Sequence, residues 1–172
     1  MQAKAVKPKV ENVIGDTLSG DRKKNALAFV AFVKSLRMSP QWVPRNSWTL
    51  KYKSKRVGYI RIHAETGEWS LWLFSQYDKH FQALVSTEAA EIHEFILKNI
   101  VYCCGCGRCA PGKNMVLLGK EFKNICATPT IRVRNPTGIF YGFATRLIAL
   151  RRDAIADNRV PKVCYIAIKD RK

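Results

Sequence analysis

Acidic residues are scarce in this 172-residue chain: 13 Asp and Glu stand against 30 Lys and Arg, a formal charge of +17. Histidine is scarce too. His63, His80 and His93 stand apart, with no His-x-Glu or His-Glu-x-x-His pattern, which argues against a hydrolytic zinc centre. The chain also lacks a Gly-x-Ser-x-Gly elbow, a phosphate loop ending in Gly-Lys-Ser/Thr and a Gly-x-Gly-x-x-Gly turn, so three common catalytic frameworks are missing. A non-enzymatic role is therefore expected. No apolar run nears the roughly 18 residues that cross a bilayer; the longest, 26–33, has the length of a core helix. Lys4, Lys7 and Lys9 precede no apolar segment, and Glu11 and Asp16 break any transit-peptide pattern. These absences lead to the expectation of a cytoplasmic protein with no membrane partner. Internal repeats and low-complexity blocks are missing as well.

Cysteine, by contrast, is concentrated. Of six in the chain, Cys103, Cys104, Cys106, Cys109 and Cys126 fall in one segment and only Cys164 lies apart. Cys103, Cys106 and Cys109 follow a C-x2-C-x2-C spacing, which lets thiolates turn onto one metal ion, with Gly105 and Gly107 freeing the backbone. In a reducing compartment such a cluster reads as metal-binding rather than as disulfides. A structural zinc held by Cys103, Cys106, Cys109 and Cys126 is the favoured reading, with Cys104 a possible substitute ligand. A 4Fe-4S cluster is the alternative cofactor, and a thiol oxidoreductase using Cys103 and Cys106 is a third reading.

The hydrophobic content of 47% against 25% charged residues suits a folded domain large enough for its own core. Residues 1–20 read as a flexible basic arm and 21–172 as a single α+β domain with a cysteine loop at 102–126. A helix is expected from Asp21 or Asn25 to Leu36, stopped by Ser39-Pro40. Strands follow at 48–53 and 57–63, joined by a turn at 54–56, and at 68–74, where Trp69, Leu71 and Leu73 alternate with Trp72 and Phe74. Ser86-Thr87-Glu88 reads as the start of a helix with Ile92, Phe95, Ile96 and Ile100 inward. A short strand is expected at 131–134. Asn135-Pro136 then starts a helix with Phe140, Phe143, Leu147 and Leu150 inward and Arg146, Arg151 and Arg152 toward solvent. The tail at 160–168 has strand-like spacing. The fold is thus a small antiparallel sheet, helices packed on one face, and a metal-stapled cysteine loop.

Two binding surfaces suggest themselves. The excess charge favours nucleic acid or another polyanion, because neutralised phosphates release counterions. Lys51, Lys53, Lys55, Arg56 and Arg61, interleaved with Tyr52 and Tyr59, form a basic aromatic hairpin suited to single strands. Lysines on the wet face of a strand also simply protect it from aggregation. Trp48, Trp69 and Trp72 could instead line a pocket for a small apolar ligand, which would make this a regulatory ligand-binding domain.

The order Cys103-x2-Cys106-x2-Cys109-x-Pro111-Gly112, Gly119-Lys120-Glu121-Phe122-x3-Cys126, Asn135-Pro136 and Leu147-Ile148-x-Leu150-Arg151 resembles a group of small bacterial proteins of unknown function. The similarity spans roughly residues 25 to 152. It implies shared metal ligands at Cys103, Cys106, Cys109 and Cys126 and no activity; Cys104 and the residues after Asp153 depart from the pattern.

Overall fold

The computed structural model describes residues 7–103, 105, 111–126 and 130–160. It is an α+β fold. A five-stranded antiparallel sheet runs in the order β1 (Ser39–Val43), β2 (Ser47–Tyr52), β3 (Lys55–His63), β4 (Glu68–Phe74) and β7 (Thr130–Arg134). A separate hairpin joins β5 (Lys113–Leu117) to β6 (Lys120–Ile125). The helices are α1 (Val10–Thr17), α2 (Gly20–Ser35), α3 (Lys79–Ser86), α4 (Ala90–Lys98) and α5 (Gly138–Ala156).

The sheet sorts its side chains by the two-residue period of a strand. Trp48 and Leu50 of β2, Ile60 and Ile62 of β3, Trp69, Leu71 and Leu73 of β4, and Ile131 and Val133 of β7 share one face and are buried. Helices cover that face. Phe29 of α2 meets Trp69 at 6.0 Å between ring centroids and Tyr141 of α5 at 6.3 Å. Helix α5 touches β3 and β4 on one side and α3 and α4 on the other.

Several expectations change. The arm expected over 1–20 is, from residue 10, a helix: Val10 and Ile14 lie one turn apart and, with Leu18, enter the core. The Trp48 indole donates to the Pro8 carbonyl at 3.2 Å, and Lys34 pairs with Glu11, so this segment is tied to the sheet and to α2. The turn between β2 and β3 is the pair Lys53-Ser54, with φ of 44° and 63°. Two successive positive values match the twist of a two-residue hairpin, and Lys55 and Arg56 therefore belong to β3.

Ser86, Thr87 and Glu88 do not open a helix. The Asp78 carboxylate caps an earlier one, α3, by accepting from the His80 and Phe81 amides at 3.1 and 2.9 Å. Ser86 ends α3, and Glu88 instead receives both Nε and Nη2 of Arg146, at 2.8 and 2.6 Å. Asn135 does not cap α5 either. With φ of 43° its Oδ1 accepts from the Trp69 amide at 2.9 Å while its Nδ2 donates to Glu68, and α5 begins three residues later. Strand β1, helix α3 and the β5–β6 hairpin had no place in the sequence reading. Arg151, expected in solvent, is 3% exposed, because α5 is enclosed by the sheet on one side and by α3 and α4 on the other.

The Glu88 side chain is only 6% exposed, so its carboxylate depends on Arg146. Arg146→Met is expected to destabilise the fold by about 1–3 kcal/mol, the range for stranding a buried acceptor. Glu88→Leu added to it should recover part of that loss, as urea unfolding of the single and double variants will read.

Candidate nucleic-acid interface and cysteine corner

The sheet face away from the helices carries no helix among the described residues. Register arranges its side chains in rows across the strands. Thr49, Tyr59, Trp72 and Arg132 are successive cross-strand partners, as are Ser47, Arg61, Ser70 and Arg134. Lys51 pairs with Arg56 beside the first row, and His63 with Glu68 beside the second. A bulge at Leu50 and Lys51 returns Arg56 to this face after Val57 has turned into the core.

The centre of this face is aromatic. Tyr59 stands edge-on to Trp72 at 6.5 Å and to Phe74 at 5.7 Å, and it accepts from Arg56 Nη1 at 2.9 Å. Those neighbours cover Tyr59, while Trp72 and Phe74 stay half-exposed. The Arg132 guanidinium lies 3.9 Å from the Trp72 ring centroid, a cation–π stack with its outer face toward solvent.

The face is electropositive. Among the named positions Glu68 is the one acid, and Arg134 and Asn135 bind it. His63 reports that field: burial first, then the charges of Arg61 and Arg134, hold its imidazole below the ordinary histidine range.

Of the hairpin residues singled out in the sequence, Lys51, Arg56 and Arg61 lie on this face, whereas Lys53 and Lys55 sit in and beside the turn. Arg132 and Arg134, the best placed cations, were missed. Their alternation with Ile131 and Val133 was visible, but their position beside β4 is a pairing across some sixty residues of sequence. Trp48, Trp69 and Trp72 do not share a pocket: Trp48 and Trp69 are core residues on the helix-covered face and Trp72 is on the other. Trp48 and Trp42 instead border a groove of about 520 Å³ beside β1, lined also by Pro8, Val10 and Pro40.

The cysteine segment begins at an isolated bridge between Tyr102 and Ile125. The Cys103 amide donates to the Asn124 carbonyl at 2.7 Å and the Cys126 amide to the Val101 carbonyl at 2.8 Å. Cys103 and Cys126 are thus diagonal neighbours across one antiparallel bridge, with Cys126 buried and Cys103 partly so. Such diagonals are about 7–8 Å apart at Cα, beyond a relaxed disulfide but within reach of one shared ion through two Zn–S bonds of about 2.3 Å.

Gly112 packs against this corner so closely that an added Cβ would lie 2.6 Å from Cys103 Cβ. Cys104, Cys106, Cys109 and Cys164 lie outside the described residues. Among the described residues no group of three His, Cys, Asp or Glu side chains is placed to hold a metal. Nor, among them, is any helix long and apolar enough to cross a membrane.

No protein-family model matches the chain, and neither a curated protein nor a solved structure does. The likeness of the cysteine segment to small bacterial proteins rests on its motifs alone.

Tyr77 ties the corner to the core. Its ring meets Phe81 at 5.1 Å, and burial pushes its hydroxyl pKa up to about 12, against a backbone hydrogen bond at Val101 that pulls it down. A proton held more tightly in the folded state stabilises fully below the unfolded pKa of about 10 and ceases to do so as pH rises through 12. Stability should therefore fall between pH 10 and 12, by roughly 2 kcal/mol from this group. Tyr77→Phe should be less stable than wild type at pH 8, with the gap closing by pH 11 in chemical denaturation.

Proposed function

We propose that this chain is a non-enzymatic, zinc-stabilised binding module that takes single-stranded nucleic acid on the helix-free face of its sheet. The observation behind this reading is the row Tyr59–Trp72–Arg132 with Phe74 beside it, flanked by Lys51, Arg61 and Arg134. Bases stack on aromatic rings or guanidinium planes without regard to sequence, and the flanking cations neutralise the backbone. Arg132 offers its outer face to a base or swings aside to release Trp72. No recognition helix accompanies the face, so base identity is weakly read. A cytoplasmic location goes with this reading, since reducing conditions keep the thiols available.

Zinc serves as a staple here. Cys103 and Cys126 supply one corner of the shell, and Cys106 and Cys109, or Cys104 in place of one, complete it. The ion would fix the β5–β6 hairpin to the chain leaving α4. The alternative of a small-ligand domain keeps one observation in its favour, the groove beside Trp42 and Trp48.

Binding of a short single-stranded oligonucleotide should weaken linearly in log K against log salt. The triple variant Lys51→Gln, Arg61→Gln, Arg132→Gln should flatten that slope by about 2, at roughly 0.7 per phosphate on a single strand. Trp72→Ala should cost about 1–3 kcal/mol of binding, the value of one stacked base. Bound phosphates should also raise the His63 pKa, read by proton NMR. Wild-type affinity that survives all four changes, or none at about 150 mM salt, rejects the interface and leaves the groove.

Metal analysis of protein purified without oxygen should give one zinc per chain, lost with Cys126→Ser. Charge-transfer absorption in the visible would transfer the site to iron and sulfur, and metal-free protein would leave the thiol oxidoreductase reading.

A further inference from the structure

At the end of β4, where the chain leaves the sheet for α3, a recess opens between Phe74, Ser75, Asp78, Leu147, Arg151 and Arg159. Its polar lining is rich in donors without acceptors. Arg151 is 3% exposed, and its Nε, Nη1 and Nη2 have no hydrogen-bond partner; the same holds for Ser75 Oγ, Gln76 Nε2 and Arg159 Nη1. Buried groups of this kind are almost always paired in a folded protein, and a guanidinium in a low-dielectric site is the least tolerant of them.

The nearby carboxylates are already engaged. Asp78 accepts from the His80 and Phe81 amides at the start of α3, and Asp157 holds Nε and Nη2 of Arg159, leaving Nη1 turned to the recess. Burial lowers the Arg151 pKa to about 10, partly offset by the charge of Asp78, so the group is a cation at neutral pH.

From this cluster we infer an anion receptor: the recess takes one oxygen of a phosphate-class oxyanion, held by the Arg151 fork and by Ser75, Gln76 and Arg159. A guanidinium donates charge-assisted hydrogen bonds to an anionic oxygen of this kind. The free space, about 10 Å³, is that of a single water-sized sphere, so one oxygen enters and the rest of the group stays at the mouth. A terminal phosphate, with three free oxygens and no chain continuing past it, enters such a recess more readily than a backbone diester. Phe74 lines the recess and also meets Tyr59 in the aromatic row of the sheet. The end phosphate of a strand lying on that face therefore ends beside Arg151, a source that rests on the proposed function; inorganic phosphate, which does not, offers the same chemistry.

Calorimetric titration of the full chain separates these sources, using inorganic phosphate and one short oligonucleotide with and without a 5′-phosphate. The receptor predicts saturable phosphate binding, at least tenfold tighter binding of the phosphorylated strand, or both. Arg151→Met should abolish that gain while leaving the unphosphorylated strand's affinity unchanged, and Gln76→Leu, a milder change, should cut it should Arg151→Met fail to fold. Phosphate binding with no binding of either oligonucleotide supports the receptor and rejects the nucleic-acid reading. No phosphate binding together with equal affinity for the two strands, or a gain that survives Gln76→Leu and Arg151→Met, overturns the receptor.

Discussion

Strand β4 has apolar side chains on both faces, and among the described residues helices cover only one of them. Trp69, Leu71 and Leu73 are covered by α2 and α5. Trp72 and Phe74, on the reverse, are covered from within the sheet, by Tyr59 from β3 and by Arg132 from β7. Cross-strand neighbours of this kind contribute roughly 0.2–1 kcal/mol each, enough to hold the rows in register but leaving the rings half-exposed. A surface that is aromatic at its centre and edged with guanidinium groups follows from that arrangement. The same contacts that complete the sheet build the surface on which the proposed base stacking rests.

The register depends on few specific ties. Asn135 closes the corner between β4 and β7 by bonding the Trp69 amide and Glu68 together, and its own amide donates to the Trp69 carbonyl at 2.8 Å. The positive φ at Asn135 is tolerated because asparagine adopts the left-handed region more readily than most residues. Were β7 to slip by one residue, Arg132 and Arg134 would enter the core and Ile131 and Val133 would face water, so burial enforces the pairing.

What could be read from the sequence was local in origin. The hairpin of β2 and β3, strand β4 and the α+β class follow from alternation over short windows, and the structure carries all three. Misreadings came where one residue type serves two roles. Asp78, Ser86, Thr87 and Asn135 are all competent caps, and only tertiary context decides which of them caps a helix. Strand β1 was hidden by Pro40, which an edge strand accepts and a central one would not. The basic hairpin was legible as charge, but the half of the candidate interface contributed by β7 came from a distant pairing that no periodicity encodes. Arg151 was misjudged because a periodic pattern describes one buried stripe, whereas α5 is enclosed on two sides.

The distribution of charge gives these features a common cause. Acids are few, and many of those in the described residues act as ties. Glu11 pairs with Lys34, Glu68 with Arg134, Glu88 with Arg146 and Asp157 with Arg159, while Asp78 caps α3. Carboxylates so placed hold α1 to α2, β4 to β7 and the α3–α4 turn to α5, and little negative charge remains to neutralise the rest. The surplus is not spread evenly. Lys51, Arg61 and Arg132 gather on the helix-free face, and Arg61 and Arg134 add to the burial that lowers the pKa of His63 there. Cations held close together in a folded chain repel one another, and that cost is relieved when an anion binds. A chain short of acids therefore leaves these cations without counter-charges of its own, and the proposed anion sites are where that shortage is most concentrated.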